Sequence, residues 1–559
     1  MQITSRLPIV AEPSAPRVQP KSTLATPANP DQVSLGGLQA APQTTAVAAL
    51  STAKETVQRG WQDEVLYFAM TDRFANGDVT NDQGCDPTGE QRFHGGDWQG
   101  IIDKLDDLKD LGVSAMWISP VQENDRNFLG MDGFHGYWPR DFYQTEPAFG
   151  SMDKLKELVE KSHDKGIKVM IDLVLNHTGY NHPWTTDPSK QEFYHDRNLP
   201  FTKDMVKGSL FGLPDLAQEK PEVADYLIEM GKHWARETNC DGFRLDAIMH
   251  FPKEFQQRFV AEMKKERGED FFVLGEAYTG GPERVAEFQN DGHMDSVYDF
   301  PLSEAIRNVA GHNEDMGFFG RWKRFFELHK EFPGESYRVR RPNPDAHQLQ
   351  NLFARDSSYK NPHLLTTLVE NHDMPRFITA AGPDAKDKFK QALALEFTVR
   401  GIPLLYYGAE DGMGLRGDED LRADRRSGDD PDMRSFVKTL TGLRHESVAL
   451  RRGEQKELHC DSTSYAFARI HPDQTIVVAA NFDRREKQQT LTVPGQDLVL
   501  RDRLSGNTYE SLGNQLQLEL PAHGTVILEV VGQHEPRPPV PPKPEEKTNW
   551  LGWLGNLFD

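Results

Sequence analysis

From Trp61 to about His445, short apolar runs alternate with amphipathic helical stretches, and this alternation restricts the fold more than any other feature of the chain. Eight runs read as strands: Val65 to Ala69, Ala115 to Ile118, Val169 to Leu175, Gly242 to Leu245, Phe271 to Leu274, Ser296 to Asp299, Leu364 to Val369 and Ile402 to Tyr407. Helical faces lie between them, such as Ile101, Ile102, Leu105, Leu108 and Leu111, or Phe255, Phe259, Val260 and Met263. An α/β chain of this kind predicts a closed parallel (β/α)8 TIM barrel, with a doubly wound open sheet as the rival.

The barrel is expected over residues 59–452. Within it, 177–222 loses helical periodicity and collects Gly, Pro, Asn and aromatic residues, so an inserted domain leaves the barrel after the third strand. Over 453–533 the pattern turns to period two, as in Thr475 to Ala480 and Gln515 to Leu520, which predicts a C-terminal antiparallel β-sandwich. Residues 1–58 are rich in Ala, Pro, Thr, Ser and Gln and read as a disordered tail. The last stretch, 534–559, begins as a Pro-rich spacer and ends in a short apolar segment carrying Trp550, Trp553, Leu554 and Leu557, which either packs back on the protein or docks on a partner.

A net charge of −22 repels phosphate backbones and anionic membrane surfaces, so nucleic acid is excluded as a partner. Three cysteines, Cys85, Cys240 and Cys460, encode neither a disulfide framework nor a zinc cluster. The sequence has no basic, apolar leader and no run of about 18 apolar residues, so no membrane span is expected. A cytoplasmic location follows, with export by a route without a cleavable signal as the alternative.

In a barrel of this type, reactive groups sit where strands end and the following loops begin. The third strand runs Asp172-Leu-Val-Leu-Asn-His177, the fourth ends Gly242-Phe-Arg-Leu-Asp246, the fifth ends Leu274-Gly-Glu276, and the seventh ends Val369-Glu-Asn-His-Asp373. Retaining cleavage of a glycosidic bond needs two carboxyls about 5 Å apart, one to attack the sugar carbon and one to protonate the leaving oxygen. Neighbouring strand ends can supply them. Arg244 and Asp246 are two apart and share a strand face, so the guanidinium favours an ionised aspartate, whereas Glu276, beside Leu274 and Ala277 and facing another carboxylate, suits a general acid. A lone acid at a strand end is as readily a salt bridge or a cap; the four segments together are not.

In identity and order these segments resemble the α-amylase superfamily of glycoside hydrolases, whose hallmarks are an Asp-x-x-x-Asn-His, a Gly-Phe-Arg-x-Asp, a Gly-Glu and an Asn-His-Asp. The resemblance covers about Trp61 to Val531. It implies that Asp246 is the nucleophile, Glu276 the acid and base, and Asp373 the third acid. It further implies that His135, His177, Arg244, His372 and Arg376 bind substrate and that Tyr137, in Phe134-His-Gly-Tyr-Trp138, stacks on the sugar, although a buried core tyrosine is the alternative. At Met249 the chain departs from fungal-type amylases, which often place a lysine there.

A second constellation, Asp72-Arg-Phe-Ala-Asn-Gly-Asp-Val-Thr-Asn-Asp82 followed by Gly95-Gly-Asp97, is either a set of polar turns or a site for a hard, oxygen-liganded cation. It resembles the calcium loop of neopullulanases and cyclodextrin glucanotransferases, with matches at Asn76, Asp78, Asn81, Asp82, Gly95 and Asp97, so Ca2+ is the expected cofactor. A further Ca2+ site typical of amylases would use Asn176, Asp215 and the carbonyl of His250. The expected substrate is an α-glucan: starch, maltodextrin or a cyclic dextrin, cleaved at α-1,4 bonds, with α-1,6 bonds as a further target. A glucanotransferase of the same architecture and a non-catalytic glucan-binding scaffold are the alternatives.

Overall fold

The structure, a computed structural model, describes residues 59–311, 345–414 and 421–535; the expected tail and the apolar C-terminal segment lie outside the described residues. All eight expected strands are present: β1 (Leu66–Ala69), β2 (Ala115–Ile118), β3 (Lys168–Leu173), β4 (Gly242–Leu245), β5 (Phe272–Gly275), β6 (Ser296–Val297), β7 (Thr366–Thr367) and β8 (Ile402–Tyr406). They form one parallel sheet in the order β6-β5-β4-β3-β2-β1-β8-β7. Its two edges meet through a parallel bridge between Tyr298 and Thr366, joined by the Asp299 N–H donating to the Thr366 carbonyl at 2.9 Å. The open-sheet alternative is thereby excluded. The strands are buried on both faces, which is why they read as continuous apolar runs and not as alternating ones.

One helical face is divided. Ile101 to Leu111 reads as one amphipathic helix but forms two, Trp98–Asp103 and Leu105–Leu111, separated at Lys104. The first is capped by Asp97, which accepts from the Gly100 N–H at 2.6 Å, and the second is stopped by Gly112 at φ 89°, a left-handed geometry suited to glycine.

Aromatic rings fill the barrel beneath its C-terminal mouth: Phe68 stacks on Trp117 with centroids 3.5 Å apart, and Tyr406 and Tyr298 flank this pair. The region 454–533 folds into a six-stranded antiparallel sheet covered by the two-stranded pair Lys487–Thr492 and Gln515–Leu520. Leu516, Leu518 and Leu520 point into its core while Gln515, Gln517 and Glu519 are exposed, so the period-two pattern marks the buried face. Among the described residues no helix is long and apolar enough to cross a membrane.

Candidate active site

The sheet ladder continues past the strand ends and carries two acids to the same rim. Asp246 N–H donates to the Leu173 carbonyl at 3.1 Å, and Glu276 N–H to the Leu245 carbonyl at 3.0 Å. Arg244, wholly buried, lies between them. Its Nη1 donates to Asp246 Oδ1 at 2.9 Å and to Asp172 Oδ2 at 3.0 Å, and its Nη2 forms an ion pair with Glu276 Oε2 at 2.7 Å, a charge contact not aligned as a hydrogen bond. The side chains of Asp246 and Glu276 are 13% and 12% exposed while that of Arg244 is inaccessible, so a ligand in the mouth would meet the carboxyls and not the guanidinium.

Ala247, directly after Asp246, has φ 52°. Left-handed backbone costs an alanine roughly 1–2 kcal/mol. Here it turns the Ala247 N–H onto Glu276 Oε2 at 3.2 Å, tying the two acids together through the main chain.

The electrostatics divide the acids. Burial pushes the Glu276 carboxyl up to about 8; Arg244 opposes this, and the nearby Asp246 and Asp373 reinforce it. Burial likewise raises Asp172 to about 7 against the pull of Arg244. At Asp373 burial also acts upward, but His372, Arg422 and Arg244 together outweigh it and hold the carboxyl below its ordinary range. His135, His177 and His372 are all lowered, chiefly by burial, and are neutral imidazoles near pH 7.

Their tautomers follow from their partners. His135 Nδ1 accepts from the Tyr137 N–H at 3.0 Å, so its Nε2 carries the proton; His177 Nε2 donates to the Tyr137 carbonyl at 3.0 Å. The Tyr137 hydroxyl donates to Asp172 at 2.8 Å and its ring lies parallel to that of His372 at 5.3 Å. His372 Nε2 is 3.2 Å from Asp373 Oδ2. The structure thus gathers Asp246, Glu276, Asp373, Arg244, His135, His177, His372 and Tyr137 into one connected cluster.

Arg376 is not part of it. Its buried side chain pairs with Glu370 at 3.0 Å and packs 4.0 Å over the Tyr406 ring, so nearness to Asp373 in sequence does not bring it to the mouth. Two residues outside the expected site belong with it. Asp172 faces Arg244 in register across β3 and β4, which its place at the head of the Asp-x-x-x-Asn-His segment could have signalled. Arg422, from the stretch after β8, donates to Asp373 Oδ1 at 2.8 Å, and nothing in its sequence surroundings marks it. Phe211, in the excursion after β3, is on left-handed backbone with its ring 6.2 Å from that of Phe201, and its carbonyl accepts from the Tyr180 hydroxyl at 3.0 Å.

In the loop after β1, Asn76 Nδ2 donates to Asp82 at 3.0 and 2.8 Å, and a Cβ at Gly95 would stand 2.5 Å from Asp82 Oδ1, so only glycine leaves this cradle open. Asn81 Oδ1 is buried without a hydrogen-bond partner. Asp78 accepts from Thr80, and Asp97 accepts from the N–H groups of Gly77, Asp78 and Gly100, so both shape the turn. At the second location Asn176 Nδ2 donates to Asp215 Oδ1 at 2.9 Å and leaves Asn176 Oδ1 buried and unpartnered, while Asp215 Oδ2 contacts His195 Nδ1 at 2.6 Å and His250 Nδ1 contacts the Met205 carbonyl at 2.8 Å. Among the described residues no three His, Cys, Asp or Glu side chains converge as metal ligands. Any ion here would therefore need amide and main-chain oxygens besides its carboxylates, which suits a hard cation.

The alpha-amylase catalytic-domain family model matches residues 68–446, and that of the maltogenic amylase C-terminal domain matches 456–527. A beta/alpha-amylase of Paenibacillus polymyxa is 31% identical over 453 residues, covering 77% of this chain, which spans about a third (34%) of that relative's length. A cyclomaltodextrinase of a Bacillus species is 31% identical over 453 residues, covering 76% of this chain and 73% of its own length. The crystal structure of an Anoxybacillus α-amylase superposes with a TM-score of 0.76 at 34% identity, covering 85% of this chain and all (100%) of that one. The chain belongs to the α-amylase family of glycoside hydrolases.

Proposed function

We propose that this enzyme cleaves α-1,4-glucosidic bonds of starch, maltodextrins or cyclic dextrins with retention of configuration. The observation that carries the reading is the sharing of one guanidinium by Asp246 and Glu276 at the ends of adjacent strands. Retaining cleavage requires two carboxyls on one sugar ring, about 5 Å apart. Asp246 attacks the anomeric carbon as Glu276 gives its proton to the departing glycosidic oxygen, forming a glycosyl-aspartate. Glu276, now anionic, takes a proton from the incoming water or sugar hydroxyl as that oxygen displaces Asp246. Asp373, held anionic by its cationic and imidazole neighbours, stabilises the oxocarbenium-like transition state. His135 offers its Nε2–H to a sugar hydroxyl, and Arg244 keeps its place by lying over Trp117.

Hydrolysis and transfer differ only in which oxygen resolves the intermediate. Chromatography of products from starch, pullulan and a cyclodextrin should show short linear maltooligosaccharides at early times. Longer chains or new rings appearing first would establish the transferase instead.

Ca2+ fits the loop after β1: Asn76, Asn81, Asp82, Asp97 and the backbone near Gly95 would hold it, with Asp78 alongside, and it would lock the turn against the start of helix Trp98–Asp103. An ion bound at 100 times its Kd adds about 2.7 kcal/mol. Chelation should therefore lower Tm by several degrees and added Ca2+ restore it, a shift that Asp82→Ala removes. A melting curve indifferent to chelator would rule the ion out. The site at Asn176 and Asp215 is the lesser candidate.

A further inference from the structure

Arg422, which holds Asp373, comes from the irregular stretch after β8 and not from a barrel strand. Irregular backbone is ordinarily the part of a fold least able to fix a side chain. Here it is tied on both sides of Arg422. The Tyr406 hydroxyl donates to the Leu421 carbonyl and the Tyr407 hydroxyl to the Ala423 carbonyl, both at 2.8 Å, and Arg376 lies over the two rings at 4.0 and 5.0 Å.

The firmest tie lies three residues further on. Arg425, its side chain 1% exposed, places Nε 3.0 Å from Asp411 Oδ2 and Nη2 2.8 Å from Glu410 Oε1 and 3.2 Å from Asp107 Oδ2. Its N–H donates to the Arg73 carbonyl at 2.7 Å, and the other Asp411 oxygen accepts from the Gly428 N–H at 2.7 Å. Glu410 and Asp411, fully buried and adjacent, need a buried cation, and Arg425 is that cation. None of these contacts reaches Asp246, Glu276 or Asp373, so their effect on the mouth passes through the backbone of 421–428.

We propose that Arg425 is a positioning residue: locked onto Glu410 and Asp411, it fixes the segment that delivers Arg422 to Asp373, and so sets the third acid in place without touching substrate. The proposal rests on the reading of Asp373 as part of the catalytic machinery.

A double-mutant cycle tests it on the full chain. Arg425→Lys keeps the charge but loses the planar fork. Displacement of a positioned group by about 1 Å can cost on the order of 100-fold. Arg425→Lys should thus lower kcat/KM on maltooligosaccharides by about that factor, mainly through kcat. In an Arg422→Ala background the same change should cost less than about 2-fold, since its only route to the site is gone. A merely structural role would lower Tm and act equally in both backgrounds. An undiminished loss beside Arg422→Ala, or no loss in the otherwise native enzyme, overturns the proposal. If Arg425→Lys fails to fold, Tyr406→Phe with Tyr407→Phe removes the two tethering hydroxyls while keeping both rings and is read in the same cycle, with the same overturning results. Arg422→Ala with unchanged kcat would also end the proposal while leaving Asp246 and Glu276 in their roles; Asp373→Asn with full activity would instead remove the reading beneath it.

Discussion

Asp246→Asn should lower kcat by at least about 10⁴-fold, the scale seen when a nucleophile acting within a concerted group is removed. The amide is a far poorer nucleophile, so no glycosyl-enzyme forms, and the isosteric change keeps the Nη1 contact of Arg244 with a carbonyl oxygen in place of a carboxylate. The fold should therefore survive, with far-UV dichroism unchanged. Reducing-end release from starch is the measurement. Release at the native rate would sink the covalent mechanism, whatever the family resemblance.

Glu276→Gln should cost about 10²–10⁴-fold, the usual worth of a positioned proton donor. Its pH profile carries more information than its size. Glu276 must be protonated to act, and its carboxyl is raised to about 8, so kcat/KM should hold below that pH and fall as pH rises through it. The variant, with no proton to lose, should keep its residual activity across the same range. Should the alkaline fall persist in Glu276→Gln, another group is responsible and the acid has been misassigned.

The barrel was legible because each strand is buried on both faces, so eight apolar runs stand out from helical neighbours wetted on one side. Two details were not. The break at Lys104 depends on how two short helices pack, which hydrophobic spacing does not record, and β7 keeps only Thr366–Thr367 in the ladder although Leu364 to Val369 reads as a strand. Beyond it the chain turns to tertiary partners: Arg307 donates to the Val369 carbonyl at 2.6 Å.

The cluster shows the same division. Asp246 and Glu276 directly follow β4 and β5, where position along the chain almost determines position in space, while His177 and Asp373 lie a few residues past β3 and β7. Arg422 reaches Asp373 from 49 residues away through a loop, a contact no local pattern encodes. Arg376 lies three residues beyond Asp373 and turns the other way, because buried Glu370 and the Tyr406 ring compete for it. The Asn- and Asp-rich loop after β1 was visible as composition, but which of its oxygens lack partners emerges only once the backbone is folded.

The sharing of Arg244 among several acids has an electrical consequence for what the mouth can hold. Four carboxyls, those of Asp172, Asp246, Glu276 and Asp373, share two guanidiniums, those of Arg244 and Arg422, and burial raises Asp172 and Glu276 toward their neutral forms. The resting cavity therefore carries less negative charge than its count of acids suggests. On the proposed mechanism that reserve matters late: the field of these acids is felt most strongly when the bound ring itself acquires positive charge.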